Sequence, residues 1–511
     1  MKGKGIGNRE QGVGSRGPGP GKGAGFRAQG PGVGKGSGNR GQGPGRGKGP
    51  GIGAQGSGKA PAKSSAVRGS VPQRPASAGP TLSAAEALAK LTPARRVAFE
   101  ILTLVGLGKG HSDELLHSAR TEALSAEDRN LATALVMGVL RWEIALDARL
   151  RGYLERPDQR LAAPVALALR LGAMQLLHMD RIPAHAALSE SVELCRAAGE
   201  PHATGMVNAV LRKLAAEVAS KKPKGSPLFE TTARFAERLG HPRWLVERWV
   251  ATYGREAALK ICEAGQKEPD EPAMFAHSEA AGEGPVPVPT MDDGSRLVAE
   301  LAAAAAPEAK RIWDCCAAPG GKTLVLALRE PAAEILATDV SVKRTALMRT
   351  RLERYGYGER LRCAVADAAI TQTDEAGFDL ILCDVPCSGT GTLARNPEIR
   401  HRLKLEELER QTARQRAILT GALQRLAVGG RLVYSTCSLE PEENEQVLDA
   451  VASGTEFRRV PVDGLLQSLA ASGVLRAGVD LGSAVRDGAL RTLPGVHGCD
   501  GFYAVVVERL A

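Results

Sequence analysis

The chain changes its hydrophobic rhythm once it leaves its first eighty residues, and again near residue 290. From about 84 to about 220, apolar residues recur at helical spacing. The sets are Val97, Ile101 and Leu104; Leu131, Leu135 and Val139; Val165, Leu169 and Leu176; and Met206, Val210 and Leu214. Each set falls on one face of a helix. Pro93 stands where a helix can begin, because the first turn does not use the N–H that proline lacks. No strand pattern interrupts the region, so it predicts an all-α bundle. Lys221 to Pro227 reads as a linker. A further helical stretch carries Trp244, Leu245, Trp249 and Ala257 to Ala264, and leads into a Pro/Glu/Gly-rich joint over 268–290.

After 290 the pattern alternates. Helices are predicted over 295–306, 321–329, 342–355 and 403–427. Between them lie short apolar runs that read as strands: Arg311 to Asp314, one ending Ile335 to Asp339, one ending Val365 to Asp367, and Leu380 to Asp384. Two more follow, Arg431 to Thr436 after a Gly429-Gly430 turn, and Phe502 to Val507. Strands alternating with helices predict an α/β domain with a twisted, mostly parallel sheet covered on both faces. Such sheets bind ligands beyond the carboxyl ends of their strands. Asp314, Asp339, Asp367 and Asp384 all fall there. The chain thus divides into a tail (1–83), a helical bundle (84–225), a helical linker with a small subdomain (226–290) and an α/β domain (291–511).

Charge changes this picture only at the N-terminus. The whole chain carries 67 Lys and Arg against 57 Asp and Glu. Residues 1–80 hold 14 of the bases and one acid, Glu10, so the rest is slightly acidic. The same segment has 26 glycines and one aromatic, Phe26, too little apolar surface to offset chain entropy. It is expected to be disordered, either a solubilising tail or a sequence-blind tether for phosphate backbones. No run approaches the ~20 apolar residues of a membrane span, and Met-Lys-Gly-Lys-Gly is no secretory leader. Nine cysteines are an odd number, spread without a zinc pattern, so free thiols in a reducing cytoplasm are expected.

The turn Cys316-Ala-Ala-Pro-Gly-Gly-Lys322 follows the first strand and opens a helix. It lacks both the Walker A spacing and the G-x-G-x-x-G fingerprint, which leaves a nucleoside-binding turn with helix N–H groups for a carboxylate. Asp339 lies where a carboxylate takes ribose hydroxyls, and Asp367 where it faces an adenine edge. A single strand-end Asp is more often a helix cap. Several around one Gly-rich turn favour a ligand. Two cysteines, Cys387 and Cys437, follow neighbouring strands, and the residues alone leave open which of them is a nucleophile. Arg395, Arg400 and Arg402 flank Asn396-Pro397 as candidates for phosphate contacts or as a solvated loop.

Asp314-Cys-Cys-Ala-Ala-Pro-Gly-Gly-Lys-Thr323, Asp384-Val-Pro-Cys-Ser-Gly-Thr-Gly391 and Tyr434-Ser-Thr-Cys-Ser438, followed by Pro441-Glu-Glu-Asn444, resemble the S-adenosylmethionine-dependent RNA cytosine-C5 methyltransferases. Arg170 to Leu177, Arg181 to Ala186 and Val207 to Arg212 resemble the NusB-like domain of the branch acting on small-subunit ribosomal RNA. The resemblance implies a NusB-like RNA-binding bundle, then a Rossmann-like class I methyltransferase domain. It implies Cys437 as nucleophile, Cys387 as the group assisting release, and Asp384 beside the base. Cys316, Ala317, Ala318, Pro319, Gly320, Gly321, Lys322, Asp339, Asp367 and Asp384 would line the S-adenosylmethionine site. That chemistry suits these residues. Cytosine C5 becomes nucleophilic once a thiolate adds to C6 and N3 is protonated or hydrogen-bonded. The expected partner is RNA, ribosomal RNA favoured, with no membrane, no metal, and a monomeric state. The rivals are the same chemistry on transfer RNA and a non-catalytic NusB-like antitermination protein. One departure stands out. Glu271-Pro-Ala-Met-Phe-Ala-His-Ser278 lacks the Arg-x-Asn of the family's subdomain entry, and the subdomain looks shortened.

Overall fold

The computed structural model describes residues 84–220, 230–276, 290–370, 377–454 and 456–511. The expectations for the basic tail, the 221–227 linker and most of the 268–290 joint lie outside the described residues.

The helical region is built on Pro93–Gly106, Ala126–Arg151, Ala163–His178, Ala184–Ala197 and Thr204–Ala219. Pro93 does occupy the first turn of its helix. The buried stripe there runs Val97, Ile101, Leu102 and Val105, with Leu104 at its half-buried margin. Ile101, Leu135, Leu146, Leu169, Leu171 and Leu194 are almost fully excluded from water and form one core. Helix Ala163–His178 approaches its neighbours closely at Gly172, where an added Cβ would meet Leu211 Cδ1 at 2.5 Å.

Three shorter helices, Thr232–Arg238, Arg243–Tyr253 and Arg255–Ala264, follow. Their apolar faces, led by Phe235, Leu245 and Trp249, pack against Leu393, Leu403, Leu408 and Leu439 of the α/β domain. They are therefore a buttress rather than a spacer.

Among the described residues the α/β domain holds nine strands: β1 Arg311–Asp314, β2 Glu334–Asp339, β3 Leu361–Val365, β4 Phe378–Asp384, β5 Leu426–Thr436, β6 Phe457–Val460, β7 Val485–Arg486, β8 Ala489–Arg491 and β9 Tyr503–Arg509. The order is β3-β2-β1-β4-β5-β9-β8-β7, with β6 also pairing β9. Strands β1 to β5 are parallel, and β9 runs antiparallel to β5. The four-strand antiparallel extension after 456 has no counterpart in the sequence reading beyond β9. Its strands are short and carry no sustained alternation. Helix Leu405–Leu423 is shorter than expected, because β5 starts at Leu426 and runs through Gly429. Helices Asp293–Ala305, Gly321–Arg329 and Asp463–Ala471 cover one face, and Leu405–Leu423 with Glu445–Val451 the other. The order reverses between β1 and β4, which opens a crevice at their carboxyl ends.

Candidate active site

Each strand end contributes one fixed group to that crevice. Asp314, at the end of β1, is 1 % exposed and accepts from Thr323 Oγ1 at 2.7 Å. Among the described residues its Oδ1 has no hydrogen-bond partner. Burial pushes its carboxyl up to about 7 against the pull of that hydrogen bond. The turn Cys316 to Lys322 follows, with Gly320 in the left-handed region (φ +93°) where a side chain would be strained. Asp339 is buried, and its Oδ1 accepts from Ser341 N and Arg344 Nη2, both at 2.8 Å. Neither Asp314 nor Asp339 caps the helix that follows; Gly320 and Ser341 hold those positions. Asp367 accepts from Ala369 N at 3.0 Å. Asp384, at the end of β4, is gripped from two sides: Lys322 Nζ lies 2.7 Å from Oδ2, and Ser435 Oγ donates to Oδ1 at 2.8 Å. Lys322 also donates to Ser295 Oγ at 2.8 Å. Burial works against the Lys322 ammonium, but Asp384 outweighs it and its pKa is raised.

The two sulfurs meet. Cys387 Sγ and Cys437 Sγ are 3.4 Å apart, both partly exposed, while all nine cysteines are free. A hydrogen bond with Cys437, then burial, pushes the Cys387 thiol well up. Cys363 and Cys383 lie within β3 and β4 as expected. Cys315 Sγ contacts Cys383 Sγ at 3.2 Å, in the core.

Both sulfurs face two spaces at once. One is a cleft of about 660 Å³ shared with Cys316, Ala318, Asp339, Asp367 and Asp384. Beside it, Ala317, Pro319, Gly321, Lys322 and Asp314 line an adjoining cleft with Cys316 and Asp384. The other is a groove of about 1020 Å³ walled by His111 of the helical region and by Ser388, Asn396, Arg402 and Gln411. The sequence did not reveal this groove, because its walls come from segments nearly 300 residues apart.

Of the arginines near 397, Arg400 needs correction, while Arg395 and Arg402 are partly exposed. Arg400 is 2 % exposed and faces no solvent or phosphate path. Its Nη1 donates to the carbonyls of Arg141 (2.9 Å) and Gly240 (3.2 Å), and its Nη2 to those of Gly265 (3.0 Å) and Leu393 (3.3 Å). Arg402 Nη2 donates to the carbonyls of Val105 and Gly110 at 2.9 and 2.7 Å. Arg395 sits between Asp292 (3.1 Å) and Asp500 (2.9 Å). Glu398, also buried, takes Ser112 N and Oγ at 3.0 and 2.8 Å. Arg400, Arg402 and Glu398 fasten the helical bundle and the buttress to the loop after Cys387, and Arg395 ties that loop within the α/β domain.

Other residues around the sulfurs carry no role in the sequence reading. Glu443 and Gln415, both fully buried, tie the loop holding Cys387 to the one holding Cys437. Glu440 is held by Arg248 Nε (2.8 Å) and Trp249 Nε1 (3.0 Å) from the buttress. The sequence signal was the run of acids directly after the Cys437 turn.

A 16S rRNA methyltransferase RsmB/F family model matches residues 302–508, and a NusB family model matches 92–216. Ribosomal RNA small subunit methyltransferase B of Xanthomonas campestris is 32 % identical over 466 residues, covering 84 % of this chain and 100 % of that protein. The chain belongs to the ribosomal RNA small subunit methyltransferase B family. The probable family member of Bacillus subtilis is 29 % identical, covering 82 % of this chain and 99 % of that protein. The crystal structure of PH0851 shares the fold, with a TM-score of 0.60, 20 % identity, and coverage of 82 % of this chain and 99 % of that one. As a member of this family, the chain is an S-adenosylmethionine-dependent RNA methyltransferase. The strand-end cleft suits that cofactor. It offers a buried carboxylate oxygen on Asp314 without a partner among the described residues, a raised ammonium on Lys322 and a buried carboxylate on Asp339. No helix among the described residues is long and apolar enough to cross a membrane.

Proposed function

We propose that this methyltransferase modifies C5 of a cytosine in small-subunit ribosomal RNA, in the cytoplasm, through a covalent bond between Cys437 and C6. Residues 316–322 would hold the amino-acid end of S-adenosylmethionine, Asp339 the ribose hydroxyls and Asp367 the adenine edge. Bound there, the cofactor supplies an electrophilic methyl carbon. The target base would enter from the groove, since Cys437 is shared by both spaces.

Cys437 acts as the thiolate and forms the S–C6 bond. Its electrons flow through the ring to C5, and the negative charge that would gather at N3 is met by a proton. The Lys322–Asp384 pair is the source of that proton, its charges fixed 2.7 Å apart and its carboxylate steadied by Ser435. Once C5 is methylated, its original proton leaves to a base and the S–C6 bond breaks, restoring the aromatic ring. Cys387 assists this elimination. A thiol pushed up in pKa stays protonated, which makes it a poor attacking group and leaves its S–H to hydrogen-bond the Cys437 sulfur as that departs as a thiolate.

The observation that carries the reading is the 3.4 Å sulfur pair at the junction of the two spaces, beside Asp384. The test uses methyl-labelled S-adenosylmethionine and small-subunit ribosomal RNA. Label is expected in 5-methylcytosine, and Cys437→Ala is expected to lower its rate at least about 1000-fold. Undiminished turnover in that variant contradicts the assignment. Label in transfer RNA alone contradicts the substrate.

A further inference from the structure

We propose that Glu443 is a positioning residue for the release step, clamping the loop that carries Cys387 so that its sulfur stays against Cys437. The inference rests on the reading that Cys387 assists elimination of the covalent adduct.

Glu443 lies six residues past Cys437 and is 0 % exposed. A buried carboxylate is costly unless its oxygens are occupied by donors. Among the described residues its donors are Ser388, next to Cys387, and Gln415 of helix Leu405–Leu423, which also holds Pro386. Ser388 N donates to Oε1 at 2.8 Å, and Ser388 Oγ donates to Oε2 at 2.5 Å. Gln415 Nε2 donates to Oε1 at 2.9 Å, and also to the carbonyl of Pro386 at 2.9 Å. Residues 386 and 388, on either side of Cys387, are thus tied to one carboxylate or to the amide that serves it. The other end of the clamp is fixed as firmly. The Glu443 carbonyl accepts from Tyr434 OH at 2.6 Å, within β5. Asn444 Nδ2 donates to the carbonyl of Ser438 at 3.0 Å, holding the turn next to Cys437. Ser388 Oγ also stands 3.0 Å from Ser438 Oγ, so the two cysteine-bearing turns meet at neighbouring residues as well.

Glu443 touches neither sulfur, so its loss should leave nucleophilic attack by Cys437 possible while letting the Cys387 turn drift. A drift of about an ångström weakens proton transfer steeply. The consequence is selective: the adduct forms but clears slowly.

The experiment compares Glu443→Gln and Ser388→Ala with Cys387→Ala in the full chain, using labelled cofactor and small-subunit ribosomal RNA. Glu443→Gln is expected to lower kcat at least about tenfold with the KM for RNA and for cofactor within about twofold. A nuclease-sensitive covalent protein–RNA band should accumulate. Ser388→Ala, a milder change that removes two of the hydroxyl's contacts, should show the same band at a smaller loss of kcat, and it carries the test should Glu443→Gln not fold. Wild-type kcat in both variants, or reduced kcat without the band in a folded variant, overturns the proposal. A band with Cys387→Ala but with neither clamp variant overturns the clamp alone. No band with Cys387→Ala overturns the release role on which the clamp rests.

Discussion

The two spaces that meet at Cys437 are built in opposite ways. On the cofactor side, each group sits within a few residues of its own strand end, and short turns fix it: Asp314 with Thr323, Asp339 with Ser341, Asp367 with Ala369. On the groove side, the wall is assembled from distant segments. Glu398 is held by Ser112, Arg402 by the carbonyls of Val105 and Gly110, and Glu440 by Arg248. The difference teaches that the cofactor cleft is a property of the α/β domain, whereas the groove takes one wall, at His111, from the helical bundle. Changes on one side should therefore act on cofactor affinity, and changes on the other on assembly.

The largest effect is expected at Arg400. Arg400→Met removes a guanidinium that four carbonyls from three regions share; the Arg141 carbonyl keeps Gln266 Nε2, and the others lose this donor. Burial already draws its pKa down to about 9, so it remains charged at neutral pH and the carbonyls are what stabilise it. The loss should be about 3 kcal/mol in chemical denaturation, because removing one member of a buried charged network leaves the others uncompensated. Were Arg400 a phosphate contact instead, stability would hold and only the salt dependence of RNA binding would change.

Asp314 tests the cofactor side by pH. Its folded pKa, about 7, lies above the ordinary carboxylate value near 4. Between those limits the folded state keeps a proton that the unfolded state has released. Stability should therefore fall as pH rises through this window and level off above about 7. Asp314→Asn should flatten the slope; an unchanged slope in urea titrations at several pH values would assign it elsewhere.

The smallest effect belongs to Asp339. Asp339→Ala should weaken S-adenosylmethionine binding about tenfold, the scale of one lost charged hydrogen-bond acceptor, or about 1.4 kcal/mol. RNA affinity should not move. Calorimetric titration with each ligand separately checks both halves.

The same contrast explains what the sequence could tell. Helical spacing gave the bundle, and strand-helix alternation gave β1 to β5 with their terminal carboxylates, because these are local patterns. Cys387 and Cys437 were legible as strand-end thiols; that their sulfurs stand 3.4 Å apart follows from the parallel pairing of β4 with β5 and was not. Arg400 looked like any basic loop residue, since nothing near it in sequence shows that its acceptors lie at Arg141, Gly240 and Gly265. Gly391 is similar. It passes so close to Gly501 that an added Cβ would meet the Gly501 oxygen at 2.1 Å, a contact set by a segment 110 positions away. Short antiparallel strands such as Val485–Arg486 and Ala489–Arg491 are too brief to carry a period at all.

The central claim is a transient bond from the sulfur of residue 437 to the ring. Incubating the full chain and cofactor with small-subunit ribosomal RNA containing 5-fluorocytidine blocks loss of the C5 substituent and should arrest the adduct. Peptide mass mapping after nuclease digestion is then expected to find the modified nucleotide on the peptide containing Cys437. A nucleotide on the Cys387 peptide, or on neither while 5-methylcytosine still forms in ordinary RNA, would contradict the account.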